Sequence, residues 1–370
     1  MTADPLVSIV IPTRNRCALL RETLASIQRQ TLPHWQAIIV DDGSSDQTAA
    51  MMSSLCAEEP RIRFFNRAGP RPGANACRNQ GLAASIAPFV VFLDSDDLLA
   101  PACLEHRLNA LQSAENLDCV ISYAEYFQFH PGDLRRLHNV ATGVDPIDRF
   151  LNLDYPWQTA GPIWRQAALA KIGPWDERLP SWQDWDFHLR ALIAGLKFRC
   201  LPEIDYYLRI AQPDGSATSH HQAHSPDHLQ AAPPLFQRTR QLLASAHLLT
   251  RRREKSLAAL HLRTAEQWQA IGNSRQAMST LRQARQNGVI RRSDAINATA
   301  ILLTQSLPAK RITAPICKWW RRRAGLTTGA RTFFQPIPDN SPHAYPPLDQ
   351  ITRLADLPHP SPEVLRSHSL

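Results

Sequence analysis

Three short polar clusters follow directly on apolar, β-branched runs. Pro12-Thr13-Arg14-Asn15-Arg16 follows Val7-Ser8-Ile9-Val10-Ile11, and Asp41-Asp42-Gly43-Ser44-Ser45 follows Ala37-Ile38-Ile39-Val40. Asp94-Ser95-Asp96-Asp97 follows Phe89-Val90-Val91-Phe92-Leu93. Two of the three are acidic. Carboxylates held close together repel one another unless a cation or hydrogen-bond donors sit among them. Hard oxygen ligands suit Mg²⁺ or Mn²⁺, and those ions in turn favour a diphosphate. A single cluster is equally what a turn or a helix cap requires. Three of them at equivalent places predict a metal–diphosphate site.

Those places are equivalent only if the runs are neighbouring strands. The first run is stopped by Pro12 and followed by a helical stretch with Leu19, Leu20, Thr23, Leu24 and Ile27 on one face. After the second, Ser45 or Asp46 can cap a helix reaching about Cys56. A third strand is predicted over 61–65, a third helix over 75–86 and a fourth strand over 89–93. Near-continuous apolar strands alternating with helices argue an α/β fold whose mostly parallel sheet is covered on both faces. Ligands of such sheets bind beyond the carboxyl ends of the strands, where the three clusters stand.

The 370 residues are 44% hydrophobic and 20% charged, enough to bury a sizeable core. No apolar run approaches the roughly 20 residues of a membrane-spanning helix. The amino-terminal residues lack a basic leader region, so a signal peptide is not expected. Seven cysteines, scattered and without C-x-x-C spacing, read as reduced thiols of a cytoplasmic protein. The net charge of +8 hides a division: residues 230–335 hold 19 Lys+Arg and 3 Asp+Glu, and the remainder holds 22 and 30. An acidic front module is thus joined to a basic back module that seeks phosphate, nucleic acid or anionic lipid.

The front module resembles the inverting glycosyltransferases of family 2, which have the GT-A fold. The resemblance covers about residues 5–210. It rests on the three clusters with their strands, on Gly73-Ala74-Asn75-Ala76-Cys77-Arg78-Asn79-Gln80-Gly81-Leu82, on Ile172-Gly173-Pro174-Trp175-Asp176-Glu177, and on Gln183-Asp184-Trp185-Asp186. It implies a nucleotide-sugar donor, with UDP favoured because Asp42 matches the residue that accepts a hydrogen bond from uracil. Pro12, Thr13 and Arg14 match the wall of the nucleotide pocket. Asp94-Ser95-Asp96 matches the DXD motif: Asp96 would coordinate Mn²⁺ or Mg²⁺, and Asp94 would touch the ribose or the ion's water shell. Asp97 has no separable role. Arg78, in a C-R-N sequence where the family has A-R-N, reaches the donor or supports its loop. Inversion needs a metal-free carboxylate as base on the acceptor side, and Asp184 matches it, although Gln183 stands where the family usually has Glu. Asp186, on a helix, would point away from Asp184. Trp157, Trp164, Trp175, Trp182 and Trp185 are candidates for stacking on sugars, with at least three of the five expected in the core. A third metal ligand is expected from a histidine after Tyr207-Leu208-Arg209; none follows immediately, and His220 is the candidate, ahead of His221 and His224.

From about Leu229 the pattern is helical. Leu257, Leu260, Ala265, Trp268 and Ile271 form one stripe, and Ala277, Leu281 and Ala284 a second, across Gly272-Asn273. Arg251-Arg252-Arg253 and Lys318-Trp319-Trp320-Arg321-Arg322-Arg323 flank them. These fit the inner face of a membrane, or a helical subdomain packed on the front module; RNA is the least favoured of the three partners. The expected organisation is a catalytic domain over 1–228, a basic helical region over 229–335 and a Pro-rich tail over 336–370. The expected activity is sugar transfer to a saccharide or lipid-linked hydroxyl. The alternative is a non-catalytic nucleotide-sugar-binding module anchored by its basic half. A sugar nucleotidyltransferase would need a glycine-rich loop after the first strand, where none stands.

Overall fold

The computed structural model describes residues 4–138, 140–210, 225–305, 310–326 and 335–336. Four strands open the chain in alternation with helices: β1 (Val7–Thr13), α1 (Cys17–Gln28), β2 (Trp35–Asp41), α2 (Thr48–Glu58), β3 (Ile62–Asn66), α3 (Ala74–Ala83) and β4 (Phe89–Phe92). They pair in parallel in the order β3-β2-β1-β4. Every residue of β1 and β2 is buried, as a strand covered on both faces requires. Val7, Ile9 and Ile11 meet Leu20, Leu24 and Ile27 of α1, while Val10 faces the opposite layer with Phe92, Trp164 and Trp175. The period-2 alternation of the strand thereby serves two cores at once. Gly81 lets α3 lie directly on β1, since a Cβ there would meet Val10 Cγ1 at 2.4 Å.

Beyond β4 the sheet becomes mixed. After β5 (Leu98–Leu99) and α4 (Cys103–Gln112) come β6 (Cys119–Phe127), β7 (Arg136–Leu137), α5 (Pro146–Leu151), β8 (Pro162–Arg165), α6 (Gln166–Ile172), α7 (Gln183–Ile193) and β9 (Phe198–Arg209). Strand β8 is antiparallel to both β4 and β6, whereas β9 runs parallel to β6. The α/β class and the parallel first half are those of the sequence reading; the antiparallel additions follow β4. Buried Arg107 and Asp205 fasten α4 to β9, with Arg107 Nε donating to Asp205 at 2.8 Å.

The carboxyl-terminal part is helical: α8 (Pro226–Ser245), α9 (Arg251–Ala270), α10 (Ser274–Gln286), α11 (Arg292–Gln305) and α12 (Lys310–Ala324). Ser225, Thr250 and Asn273 cap α8, α9 and α10 by accepting from backbone N–H groups. Phe236 of α8 packs edge-on against Trp182 and Trp185, joining the helices to the sheet module. Most of the stripe expected on α9 and α10 is buried, but Ile271 is exposed because the helix ends at Ala270 and its cap residue turns out of register. Two arginines of the first triplet are structural. Arg253 donates to Asp148 at 2.7 Å and pairs with Asp145, while Arg251 donates to Asp294 at 2.9 Å.

His261, on α9, is fully buried with Nδ1 2.8 Å from the Leu257 carbonyl and its ring edge-on to Phe236. Burial pushes its pKa down to about 4, against a partial offset from that carbonyl. The unfolded chain therefore takes up a proton below about pH 6.5 that the folded chain refuses until about pH 4. Stability from this group is complete above pH 6.5 and falls with acidification by about 1.4 kcal/mol per pH unit. Urea titrations at pH 7 and pH 4.5 should show the parent losing roughly 2–3 kcal/mol more than His261→Leu over that interval.

Candidate active site

The carboxyl ends of β1, β2 and β4 deliver the three polar clusters to one rim of the sheet. Their loops are laced together. Asn15 N donates to Ser44 Oγ at 2.8 Å, Ser45 N donates to Asn15 Oδ1 at 2.7 Å, and Asp41 closes its own turn through Ser44 N at 2.9 Å. Asp46 ties together the first turns of α1 and α2, accepting from Cys17 N and from Thr48 N, both at 3.0 Å. Neither expected residue is the cap of α2: that position falls on Gln47, whose side chain makes no capping bond, and Asp46, one residue earlier, bonds the first helical N–H instead.

Pro12 and Thr13 are buried at the end of β1, and the Thr13 hydroxyl has no partner among the described residues. Arg14 projects outward, with its guanidinium 3.9 Å from Asp42. Asp42 accepts from Gly73 N at 2.9 Å and from Arg67 Nε. Arg67 was passed over in the sequence, yet it stands just beyond β3, where the strand-end argument applied to the other three strands would have pointed to it.

Asp94 accepts from Arg78 at 2.6 Å, and Asp96 accepts from Arg16. Ser95, between them, is buried. Burial raises the proton affinity of Asp96, Arg16 opposes it and the neighbouring Asp94 charge adds to it. Each of the two aspartates keeps one oxygen not taken by an arginine. Among the described residues no three His, Cys, Asp or Glu side chains gather as a protein-only metal cage. Two hard carboxylates without a cage are the donor set that Mg²⁺ or Mn²⁺ uses when substrate phosphates and water complete its shell. His220 lies outside the described residues. Asp97 acquires a role: it accepts from Arg209 N at 3.0 Å, while its carbonyl accepts from Thr23 at 2.9 Å. It ties β9 and α1 to the acidic loop.

Asp184 lies in the first turn of α7, entered through Trp182 in the left-handed region at φ 67°. It accepts from the hydroxyl of buried Thr159. Burial raises its proton affinity; Arg78 lowers it, Asp94 raises it, and the Thr159 bond lowers it. Asp184 therefore lies within the electrostatic reach of the Asp94–Arg78 pair. Asp186, two residues on, faces elsewhere and accepts from Arg190 at 2.9 Å and from Arg238 at 2.5 Å. Asn79 holds the loop before α7, donating to Trp175 O at 2.9 Å and accepting from Trp175 N at 2.9 Å. Trp157, Trp164, Trp175 and Trp185 are core residues; Trp182 alone of the five is half-buried.

Thr159 carried no sequence signal, since it stands in an irregular loop 25 residues from its partner. Its bond favours the ionised form of Asp184, so Thr159→Val should raise that pKa. A hydrogen bond to a charged group contributes roughly 1.5–3 kcal/mol. The acid limb of a kcat/KM profile should move to higher pH, with UDP affinity unchanged and Thr159→Ser close to the parent.

Comparison with known proteins agrees with this architecture. Residues 8–167 match Glycosyl transferase family 2. An uncharacterized glycosyltransferase of Bacillus subtilis, YwdF, is 31% identical over 195 residues, covering 50% of this chain and 67% of that protein. The GalNAc(5)-diNAcBac-PP-undecaprenol beta-1,3-glucosyltransferase of Campylobacter jejuni is 37% identical over 100 residues, 27% of this chain and 32% of that protein. The matched regions span only 19% and 20% of two Rickettsia relatives. The crystal structure of S. aureus TarS 1-349 in complex with UDP superposes with a TM-score of 0.56 at 18% identity, covering 86% of this chain and 87% of that one. The fold is that of the GT-A glycosyltransferases. The chain belongs to glycosyltransferase family 2.

Proposed function

We infer that the chain transfers a sugar from a UDP-sugar to a hydroxyl of a saccharide or lipid-linked acceptor, inverting the anomeric centre in a single displacement. One observation supports this above the others: Asp42, Asp94 and Asp96 stand at the carboxyl ends of β2 and β4 on one rim, and Arg78, bonded to Asp94 at 2.6 Å, also acts on Asp184. In this reading the base on one side and the acidic motif on the other would flank the anomeric carbon.

Asp42 would accept from the uracil ring, with Thr13 and Pro12 walling the pocket and Arg14 at its mouth. Asp96, with Asp94, would hold Mn²⁺ or Mg²⁺. That ion supplies charge neutralisation for the departing diphosphate. Arg78 orients Asp94 and offsets its charge beside the base. Asp184 takes the proton as the acceptor oxygen bonds to the anomeric carbon and the bond from that carbon to the UDP oxygen breaks. Its raised proton affinity brings it nearer to neutrality, where a general base works best. The UDP-bound TarS structure and the undecaprenol-linked substrate in the name of the Campylobacter relative are consistent with this donor and with an acceptor at a membrane. Among the described residues no helix is long and apolar enough to cross one; contact at the cytoplasmic face through the basic helical half is part of this reading.

The reading is tested by incubating the protein with UDP-, GDP- and dTDP-sugars and Mn²⁺, and following release of the nucleotide and the anomer first formed by NMR. Turnover of a UDP-sugar with inversion is expected. Turnover with retention, or none of any donor alone or with polyprenyl-linked saccharides, would overturn it.

A further inference from the structure

The second basic cluster, Lys318-Trp319-Trp320-Arg321-Arg322-Arg323, does not pack as a unit. On α12, Cys317, Trp320 and Ala324 face inward against Ala298, Ile301 and Leu302 of α11, and Trp320 Nε1 donates to Asn297 at 3.2 Å. Arg321 also turns inward and pairs with Glu266. Among the described residues nothing covers the other side of the same helix. Trp319 is 59% exposed and Ile316 is 46% exposed, one turn apart. Lys318, Arg322 and Arg323 are exposed around them, and the Arg323 guanidinium lies 5.3 Å from the Trp319 ring centroid. No Asp or Glu occurs anywhere in Lys310–Ala324. From residue 267 to 335 the chain has twelve Lys+Arg and one acidic residue, Asp294, which is already paired with Arg251.

A tryptophan with an aliphatic neighbour, ringed by cations, is matched to the boundary between acyl chains and anionic headgroups. The ring lies at headgroup depth and the cations meet phosphates. A polyanionic RNA would satisfy the cations but would leave Ile316 without a partner. A second copy of the chain would set one positive face against another in a symmetric contact.

We propose that the outward face of α12, centred on Trp319, docks this protein on an anionic membrane surface. The inference extends the reading of a lipid-linked acceptor by naming the surface that would bring the enzyme to it. It uses none of the residues assigned to the active site.

The test is flotation of the full-length protein with vesicles of phosphatidylcholine alone or mixed with phosphatidylglycerol. Two variants are compared with the parent, Trp319→Ser and the triple change Lys318→Gln, Arg322→Gln, Arg323→Gln. All substituted side chains are exposed, and circular dichroism confirms that each variant is folded. The parent should float with the mixed vesicles, not with phosphatidylcholine alone, and less so as salt is raised. Each cation near an anionic surface is worth about fivefold, so the triple change should weaken binding on the order of a hundredfold. Trp319→Ser should weaken it roughly tenfold. UDP binding, measured on the same samples, should be unchanged. Parent binding no better to mixed vesicles than to neutral ones would overturn the proposal, as would variants that bind like the parent. Binding of RNA in preference to vesicles, or a dimer that Trp319→Ser dissociates, would overturn it in favour of those occupants. Vesicle binding without UDP binding would count against the catalytic reading and leave the membrane surface standing.

Discussion

Replacing Asp184 by asparagine is expected to remove transfer while leaving donor binding intact. The amide has the shape of the carboxylate and can still accept from Thr159, but it cannot take a proton from the acceptor hydroxyl. General-base catalysis contributes roughly 10²–10⁴-fold, and kcat should fall by about that factor. The UDP dissociation constant should stay within about twofold, because the proposed role of the residue is on the acceptor side and not in nucleotide binding. Asp186→Asn is the informative control. Asp186 joins Arg190 and Arg238 across α7 and α8, so its loss should lower Tm without a comparable loss of kcat. Equal kcat for Asp184→Asn and the parent would remove the base assignment.

The second large effect is expected at Asp96. Its carboxylate is one of the two proposed metal ligands at the rim and is paired with Arg16. Asp96→Ala should abolish the dependence of UDP affinity on Mn²⁺ and lower kcat/KM about 10²–10³-fold, as expected when stabilisation of several kcal/mol at the leaving group is lost. Asp97→Asn distinguishes motif from scaffold. That side chain is buried, and burial together with Asp96 and Asp94 raises its proton affinity well above the ordinary carboxylate range. Its bond to Arg209 N is structural, so the asparagine variant should change stability more than metal response. A Mn²⁺ response in Asp96→Ala equal to that of the parent would place the ion elsewhere.

Much of this site could be read from the chain because parallel strands announce themselves. Val7–Ile11 and Ala37–Val40 are apolar without interruption, and the polar residues that stop them fall at the sheet rim by geometry alone. Arg67 is legible by the same rule once β3 is treated like its neighbours. Thr159 is not, since irregular loops carry no period and its contact is made only in the folded chain. The tryptophans were ambiguous for a different reason. Large aromatic side chains serve cores and sugar faces alike, and only packing shows that Trp175 lies flat on Phe187, with centroids 3.9 Å apart. The arginine triplets were ambiguous because charge in sequence does not reveal its partner. Arg253 meets Asp148 from 105 residues away, whereas Arg322 and Arg323 point outward.

A calorimetric titration of the parent protein with UDP, once with Mn²⁺ in excess and once with EDTA, bears most directly on the carboxylate rim. If Asp94 and Asp96 grip the diphosphate through a divalent ion, affinity should be at least about tenfold tighter with the metal. Equal affinity in both solutions would contradict the account.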